Sequence, residues 1–255
     1  MSPESRLRER LKMAVPFLML LALVAAWEVT VAQWTIPQWI LPSPSAIGQV
    51  AMEWRDDLLR HSWVTLYETL AGFGAALAVA LPIAVLIAYT PLLKHTIYPL
   101  LLALQSVPKV AIAPLITLWA GFGMAPKVIV VFLVCFFPIV VSATAGLEAT
   151  TRSRMDLMRS MRASAWQTFW RLRIPEALPH IMVGCKVGIT FAVIGAVIGE
   201  FVGSEEGLGY LILTATAQSN TPLAFSALVI LTLISIALYY VIEQAEKLLV
   251  RWDTR

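Results

Sequence analysis

The chain has 255 residues, of which 59% are hydrophobic and only 14% are charged, and its mean hydropathy is +0.77. Long apolar runs recur along its whole length, which is typical of a membrane protein with several spans and unlike a soluble domain. The formal net charge of +3 is small. We therefore expect membrane lipid around the chain, no nucleic-acid partner, and one membrane domain with little else.

Six apolar segments are long enough to cross a bilayer. A hydrocarbon core about 30 Å thick needs about 20 mostly apolar residues per helix. We predict an all-α, polytopic membrane fold in which residues 1–13 form a cytoplasmic segment and residues 14–255 form a single transmembrane domain. The predicted spans are residues 14–32, 65–89, 97–119, 126–147, 181–203 and 223–245.

Lysine and arginine predict the orientation, because cytoplasmic loops carry an excess of both residues. Of the 19 lysines and arginines, only Arg55, Arg60 and Lys127 fall in loops on one side, and Lys109 and Lys186 fall within spans. That side is predicted to be outside, with both termini in the cytoplasm. The start SRLRERLK also fits a signal peptide, but its apolar run is long and we predict an uncleaved first helix.

Two outside segments carry their own local signals. QWTIPQWILPSPSAIGQVAMEWRDDLLRHSW (33–63) has a Pro and Ser cluster that indicates a turn, and we expect part of it to form a short surface helix. The apolar centre of GSEEGLGYLILTATAQSNTP (203–222) is too short to span the bilayer. It is predicted to be a helix or a re-entrant piece.

The longest cytoplasmic segment, residues 148–180, is the predicted internal feature large enough to bind a partner. Ser164 is expected to cap a second short helix that Pro175 ends, so the segment reads as two amphipathic helices followed by a rigid IPEALP turn. Two plainer interpretations stay open: the arginines only enforce orientation, and the aromatics only lie on lipid. The apolar stripe has helical spacing and comprises Met158, Met161, Ala165, Phe169 and Leu172, broadened by Trp166 and Trp170.

This segment resembles the cytoplasmic loop of binding-protein-dependent ABC importer permeases. The family pattern is Glu-Ala-Ala, three residues, Gly, nine residues and Ile-x-Leu-Pro. Here Asp156-Leu157-Met158, Arg162 and Leu172-x-Ile174-Pro175 stand in that register. Arg162 replaces the glycine of the turn, which puts a left-handed backbone there in doubt.

Three further stretches extend the resemblance over about residues 60–245. They are PKVAIAPLITLWAGFG (108–123), FFPIVVSATAGL (136–147) and GAVIGEFVGSEEGLGYLI (195–212). They look like permeases for nitrate, sulfonate and taurine, and equally like those for pyrimidine (thiamine precursor) and riboflavin uptake. The cargo class therefore stays open between an anion and a heteroaromatic compound.

The resemblance implies the type I ABC importer permease fold in a bacterial inner membrane, with residues 148–180 as the loop that couples to a separate ATPase. It also implies a second permease copy, two ATPase subunits that hold ATP and Mg, and a periplasmic or lipid-anchored substrate-binding protein. No cofactor is expected in this chain. The predicted coupling residues are Asp156, Met158, Met161, Arg162, Ala163, Ser164, Trp166, Phe169, Trp170 and Pro175.

The translocation path is predicted from charge and proline within the spans. Lys109 follows Pro108 in the third span, where a lysine is costly and therefore a functional candidate. The alternative is that the helix breaks at Pro108 and Lys109 reaches water or pairs with a backbone carbonyl. The candidate path residues are Lys109, Pro108, Pro114, Glu200, Gly207 and Gly209, the last three by family analogy with an external gate.

Other function classes are less well supported by the residues. No lysine follows a glycine, so the chain has no P-loop, and we predict no catalytic and no metal-binding residues. An ATPase-independent secondary transporter would need carboxylates deep in the spans. Glu68, Glu148, Glu200 and Glu243 all fall near predicted span ends, which argues against this alternative. An intramembrane enzyme has no nucleophile–base pairing to support it.

Overall fold

The structure, a computed structural model, describes residues 3–250, with side chains described for Val15 and residues 18–250. These residues form α-helices and one π-helical segment, with no β-strand among them, so the all-α prediction is confirmed there. The helices are α1 (Pro3–Gln33), α2 (Pro44–Glu53), α3 (Arg55–Tyr89), α4 (Pro91–Gln105), α5 (Lys109–Ala120), α6 (Met124–Glu148), α7 (Arg152–Ser160), α8 (Ala165–Thr168), the π-helix (Phe169–Arg173), α9 (Ile174–Gly203), α10 (Leu208–Ala217) and α11 (Thr221–Leu249).

Several helices have the length and apolar composition of membrane spans. Among the described residues four qualify, namely Arg55–Tyr89, Met124–Glu148, Ala165–Gly203 and Thr221–Leu249, and the α4–α5 pair makes up to five if it counts as one span. Leu18–Gln33 and α10 are shorter apolar helices. A multi-pass membrane protein is therefore confirmed. The predicted helix between the first two spans is present as α2, and the one after the fifth span as α10.

The predicted span over residues 97–119 is not one continuous helix. This region forms α4 and α5, which are bent by 97° at the break before Lys109. Pro108 has no N–H to continue the helix, and its ring disfavours helical backbone at the preceding residue. Lys109 therefore stands at the first turn of α5 instead of in the middle of a span.

The predicted rigid turn at IPEALP is also wrong. Residues Ala165–Gly203 run as one apolar helix of 39 residues, and Pro175 lies in the first turn of α9 instead of ending a helix. The π-helix just before it provides the physical reason. The Ile174 N–H donates to the Phe169 carbonyl, a five-residue spacing that shifts the hydrogen-bond ladder before it meets a proline without an N–H.

Two statements of the sequence analysis concern the turn between α7 and α8. Ser164 caps α8 as predicted, since its Oγ accepts from the Gln167 N–H at 3.2 Å while Gln167 Oε1 accepts from the Ser164 N–H at 2.8 Å. The doubt about a left-handed turn is removed, because Arg162 itself adopts φ 53°. A side chain with a Cβ pays about 1–2 kcal/mol for that conformation.

The described residues form two compact units, residues 3–59 with 211–229 and residues 60–210 with 230–250. In the first unit, Ser45 bonds the Glu28 carboxylate through its N–H at 3.0 Å and its hydroxyl at 2.7 Å. Trp27 meets the Phe225 ring at 6.1 Å. The prediction of a single domain over 14–255 stays a prediction, and its last residues, 251–255, lie outside the described residues.

The core of the second unit lies between α6 and α9, with the small-residue face of α3 against it. Glycines on α9 allow this close packing, among them Gly184 and Gly188, which face Ser142 and Ile139 of α6. Gly195 lies closest to a backbone, since an added Cβ would stand 2.9 Å from Val131 Cα. The distance between α6 and α9 is therefore set by residues without side chains.

We predict that Gly195→Ala lowers the stability of the detergent-purified chain. A backbone atom cannot rotate away from the new methyl, so α6 and α9 must separate, at about 1–3 kcal/mol. Gly74→Ala is the matched control, because a Cβ at Gly74 meets nothing within 4 Å and alanine favours a helix by about 0.5–1 kcal/mol. Melting temperatures that fall equally, or rise, for both variants would contradict the close-packing account.

Candidate functional site

A buried group of charged side chains lies where α3, α6 and α9 meet in the second unit. Glu68 of α3 is fully buried, Glu200 of α9 is 1% exposed and Lys127 of α6 is 7% exposed. Lys127 Nζ lies 2.5 Å from Glu68 Oε1 and donates to Ser204 Oγ at 2.9 Å. Charges are almost never buried this completely unless they are paired.

Glu200 also holds the backbone of the loop after α9. Its Oε2 accepts from the Gly209 N–H at 2.5 Å, and its Oε1 accepts from the Thr65 hydroxyl at 2.6 Å. Thr65 Oγ1 accepts in turn from the Leu208 N–H at 2.8 Å, and His61 Nδ1 accepts from the Gly207 N–H at 2.8 Å. Side chains of α3 and α9 therefore satisfy three successive N–H groups at the start of α10.

Glu68 and Glu200 are neighbours in this cluster, and Lys127 pairs with Glu68. The cluster therefore holds two buried carboxyl groups and one ammonium. Gly207 is needed beside them, because its φ of 110° suits glycine and a Cβ there would overlap the Glu200 carboxylate. The sequence placed the Gly-Leu-Gly stretch beside Glu200, and its role as a gate stays a prediction.

Sequence reasoning missed most of this cluster. α3 begins at Arg55, ten residues before the predicted start of the span, so Glu68 lies more than three turns inside the helix. Lys127 was assigned to an outside loop. The available signal was spacing: His61, Thr65 and Glu68 fall on one face of an apolar helix, where polar residues mark an interior site.

A cavity of about 460 Å³ opens beside the cluster. Its lining combines Lys127 and Ser204 with the acidic residues Glu205 and Glu206, and Phe122 contributes apolar surface. The cavity therefore gives solvent access near the buried ammonium, while the Glu68 carboxylate stays behind it.

The remaining path candidates lie at the α4–α5 break. Lys109 Nζ donates to the Gln105 carbonyl at 2.7 Å and stands 5.3 Å from the centre of the Phe137 ring. Pro108 is the N-cap of α5 and Pro114 lies within it. Lys109 therefore satisfies a carbonyl at the end of α4, as one of the two interpretations expected, and whether it also lines a path stays a prediction.

The predicted coupling segment presents an aromatic cluster. Trp166 is 69% exposed and Trp170 51% exposed, and their rings stand 5.5 Å apart. Phe169 is half-buried, because it packs edge-on against Tyr89 at 5.8 Å. Phe169 thus packs the segment against the end of α3, while the exposed surfaces of Trp166 and Trp170 are available to a partner.

The polar residues of the segment flank this cluster. Asp156 pairs with Arg159 at 3.1 Å on α7, and Arg154 pairs with Glu176 of α9. The turn of Met161, Arg162, Ala163 and Ser164 separates α7 from α8, so the apolar stripe is divided between two helices. Met158 is half-buried and Met161 is exposed.

Known proteins of one family match this chain along most of its length. Residues 80–252 match the family described as "Binding-protein-dependent transport system inner membrane component". The riboflavin transport system permease protein RibX of Chloroflexus aurantiacus is 36% identical, covering 99% of this chain and 96% of that protein. The formylaminopyrimidine transport permease protein ThiX of Halalkalibacterium halodurans is 33% identical, with 93% and 95% covered.

A solved structure shows the same fold. An inward-facing form of the MetNI methionine ABC transporter superposes with a TM-score of 0.62 at 22% identity. The match covers 76% of this chain and 94% of that chain.

We predict that Lys127→Met destabilises the chain by about 3–5 kcal/mol, because it leaves the buried Glu68 carboxylate without its cation. Lys94→Met is the control: its ammonium pairs with Glu148 but is 46% exposed, and such a pair contributes at most about 1 kcal/mol. Thermal melts of both purified variants measure the difference. The double variant Lys127→Met, Glu68→Gln should recover part of the loss, and strictly additive losses would contradict a coupled cluster.

We predict that Gly207→Ala disrupts the loop after α9 and that Gly121→Ala does not. Both glycines have positive φ, but a Cβ at Gly121 meets nothing within 4 Å while one at Gly207 overlaps Glu200. Limited proteolysis of the purified variants should therefore cut within residues 203–209 only in Gly207→Ala. Equal protection in both variants would mean that the Glu200 contact does not hold this loop.

Proposed function

This chain belongs to the family of binding-protein-dependent transport system inner membrane components, and we propose that it couples solute passage to a separate ATPase through residues 165–173. It is the permease component of an ABC importer. In our proposal two copies of the chain enclose the path, two ATPase subunits supply ATP and Mg, and an external binding protein delivers the solute. The proposed setting is a bacterial inner membrane, with six spans and both termini in the cytoplasm.

The exposed aromatic cluster on a helix continuous with α9 carries this proposal. Trp166 and Trp170 are the type of side chain that dominates binding energy at interfaces. Their helix continues without a break to Gly203, next to Glu200 and the loop it holds. A push on the cluster would therefore move the whole of α9, including the end that carries Glu200.

The cargo that we propose is a small heteroaromatic compound, of the pyrimidine or riboflavin class. Two relatives at 33% and 36% identity over nearly their whole length are named for such compounds. In support, the ammonium of Lys109 already bonds the Gln105 carbonyl. The alternative is an anion such as a sulfonate, taurine or nitrate, for which Lys109 would provide the positive site.

We predict that replacing Trp166 and Trp170 by alanine detaches the ATPase without unfolding the permease. Each lost anchor should weaken binding by about 2 kcal/mol, or about thirtyfold. Copurification and ATPase stimulation measure the effect, with Trp34→Ala, Trp39→Ala as the control pair of exposed tryptophans from the predicted outer segment. If the loop variant still copurifies and stays coupled, the docking assignment is wrong.

We predict that Lys109→Met leaves both complex assembly and transport of a heteroaromatic cargo unchanged within about twofold. The reason is that an uncharged cargo gains little from a lysine that bonds its own backbone. Uptake of labelled cargo into proteoliposomes with binding protein present measures this at equal reconstituted complex. A loss of about tenfold or more in transport, with assembly intact, would favour the anionic cargo instead.

A further inference from the structure

A second cavity, of about 380 Å³, lies where the spans of the second unit end. Tyr89 closes α3, Lys94 lies in the first turns of α4, and Glu148 closes α6. Thr150 and Arg173, the last residue of the π-helix, complete its polar lining. The cavity therefore stands at the boundary between the apolar spans and their connecting segments, on the side predicted to be cytoplasmic.

The charges in this cavity do not balance. Lys94 Nζ pairs with Glu148 Oε2 at 2.8 Å, so these two neutralise each other. Arg173 makes no ion pair with any described residue, and its guanidinium lies over the Tyr89 ring at 4.4 Å. The positive charge of Arg173 is therefore not neutralised by any of these ion pairs, and the Tyr89 ring positions it.

Two hydrogen-bonding groups at the same cavity lack partners. Arg173 Nε and Thr150 Oγ1 are both buried, and neither has a hydrogen-bond partner among the described residues. Buried polar groups are nearly always bonded, so each such group calls for an explanation. An oxyanion in the cavity would lie beside the positive charge of Arg173 and beside Thr150, which both line it.

We propose that this cavity binds the phosphate of an anionic phospholipid headgroup. The cavity lies at the ends of the spans, which is the level of the lipid phosphates in a bilayer. Basic pockets between helices on the cytoplasmic side also suit anionic headgroups. Leu86 lies one turn before Tyr89 on the same face of α3 and is exposed, so it offers apolar surface for an acyl chain. Arginine suits a phosphate because its guanidinium presents several donors in one plane.

The lipid would act on the coupling segment, because Arg173 lies three residues after Trp170 in the same π-helix and Tyr89 contacts Phe169. A headgroup bound to Arg173 would hold the π-helix against the end of α3. This inference does not depend on the identity of the cargo, and it can fail while the coupling proposal stands.

Native mass spectrometry of the purified full-length chain, titrated with phosphatidylglycerol, tests the proposal. We expect Arg173→Gln to weaken phosphatidylglycerol binding about tenfold, as expected for one lost charge-assisted contact. Arg173→Lys should retain most of the binding. Arg159→Gln is the control, because Arg159 is an exposed arginine of α7 that does not line the cavity, and it should bind as the parent does.

Two further measurements distinguish an anionic lipid from free phosphate as the bound oxyanion. Phosphatidylcholine should bind the parent and Arg173→Gln equally weakly, and inorganic phosphate at the same concentration should not displace phosphatidylglycerol. Equal phosphatidylglycerol affinity of the parent and Arg173→Gln, in variants that keep the parent's melting temperature to within a few degrees, would overturn the proposal. Displacement of phosphatidylglycerol by inorganic phosphate would overturn the lipid assignment.

Discussion

The close approach of α6 and α9 is the constraint on which the rest of the second unit depends. Gly184, Gly188 and Gly195 of α9 each face α6 at a distance at which an added Cβ would clash, and one at Gly199 would be in tight contact. Without a hydrophobic effect between helices in lipid, such packing is a main source of association. Because the two backbones lie so close, Lys127 near the start of α6 and Glu200 near the end of α9 enter the same buried cluster.

The buried cluster gives this packing a functional consequence. Lys127, Glu68 and Glu200 are stable in an apolar interior only while their mutual contacts hold. Glu200 and Thr65 also bond the backbone at residues 207–209, so a displacement of α9 would strain the loop and the ion pairs together. Deep carboxylates usually suggest a secondary transporter, but here the family identifies an ABC permease, and these carboxylates already hold structural partners.

Much of the fold was readable from the sequence, and the errors share a cause. Hydropathy found the apolar spans, and Ser164 was recognised as a cap because that signal is local. Pro108 and Pro175 are both prolines, which indicate the end of a helix, but the structure treats them differently. The chain bends by 97° at Pro108, whereas a π-helical turn before Pro175 lets the helix continue. The cluster of Glu68, Lys127 and Glu200 joins three helices, and contacts between helices leave no periodic pattern in any one segment.

The central claim is that residues 165–203 move as one rigid helix between the coupling segment and the Glu200 cluster. Spin labels on cysteines at Arg171 and Phe201, both exposed, would stand about 45 Å apart along such a helix. The native Cys135 and Cys185 are buried, which limits background labelling. Double electron–electron resonance on the reconstituted complex, with one labelled copy diluted into unlabelled copies, should give the same intrachain distance without nucleotide, with ATP and in the vanadate-trapped state. A second population displaced by more than about 5 Å, roughly one helical turn, would show that the helix bends instead of transmitting motion.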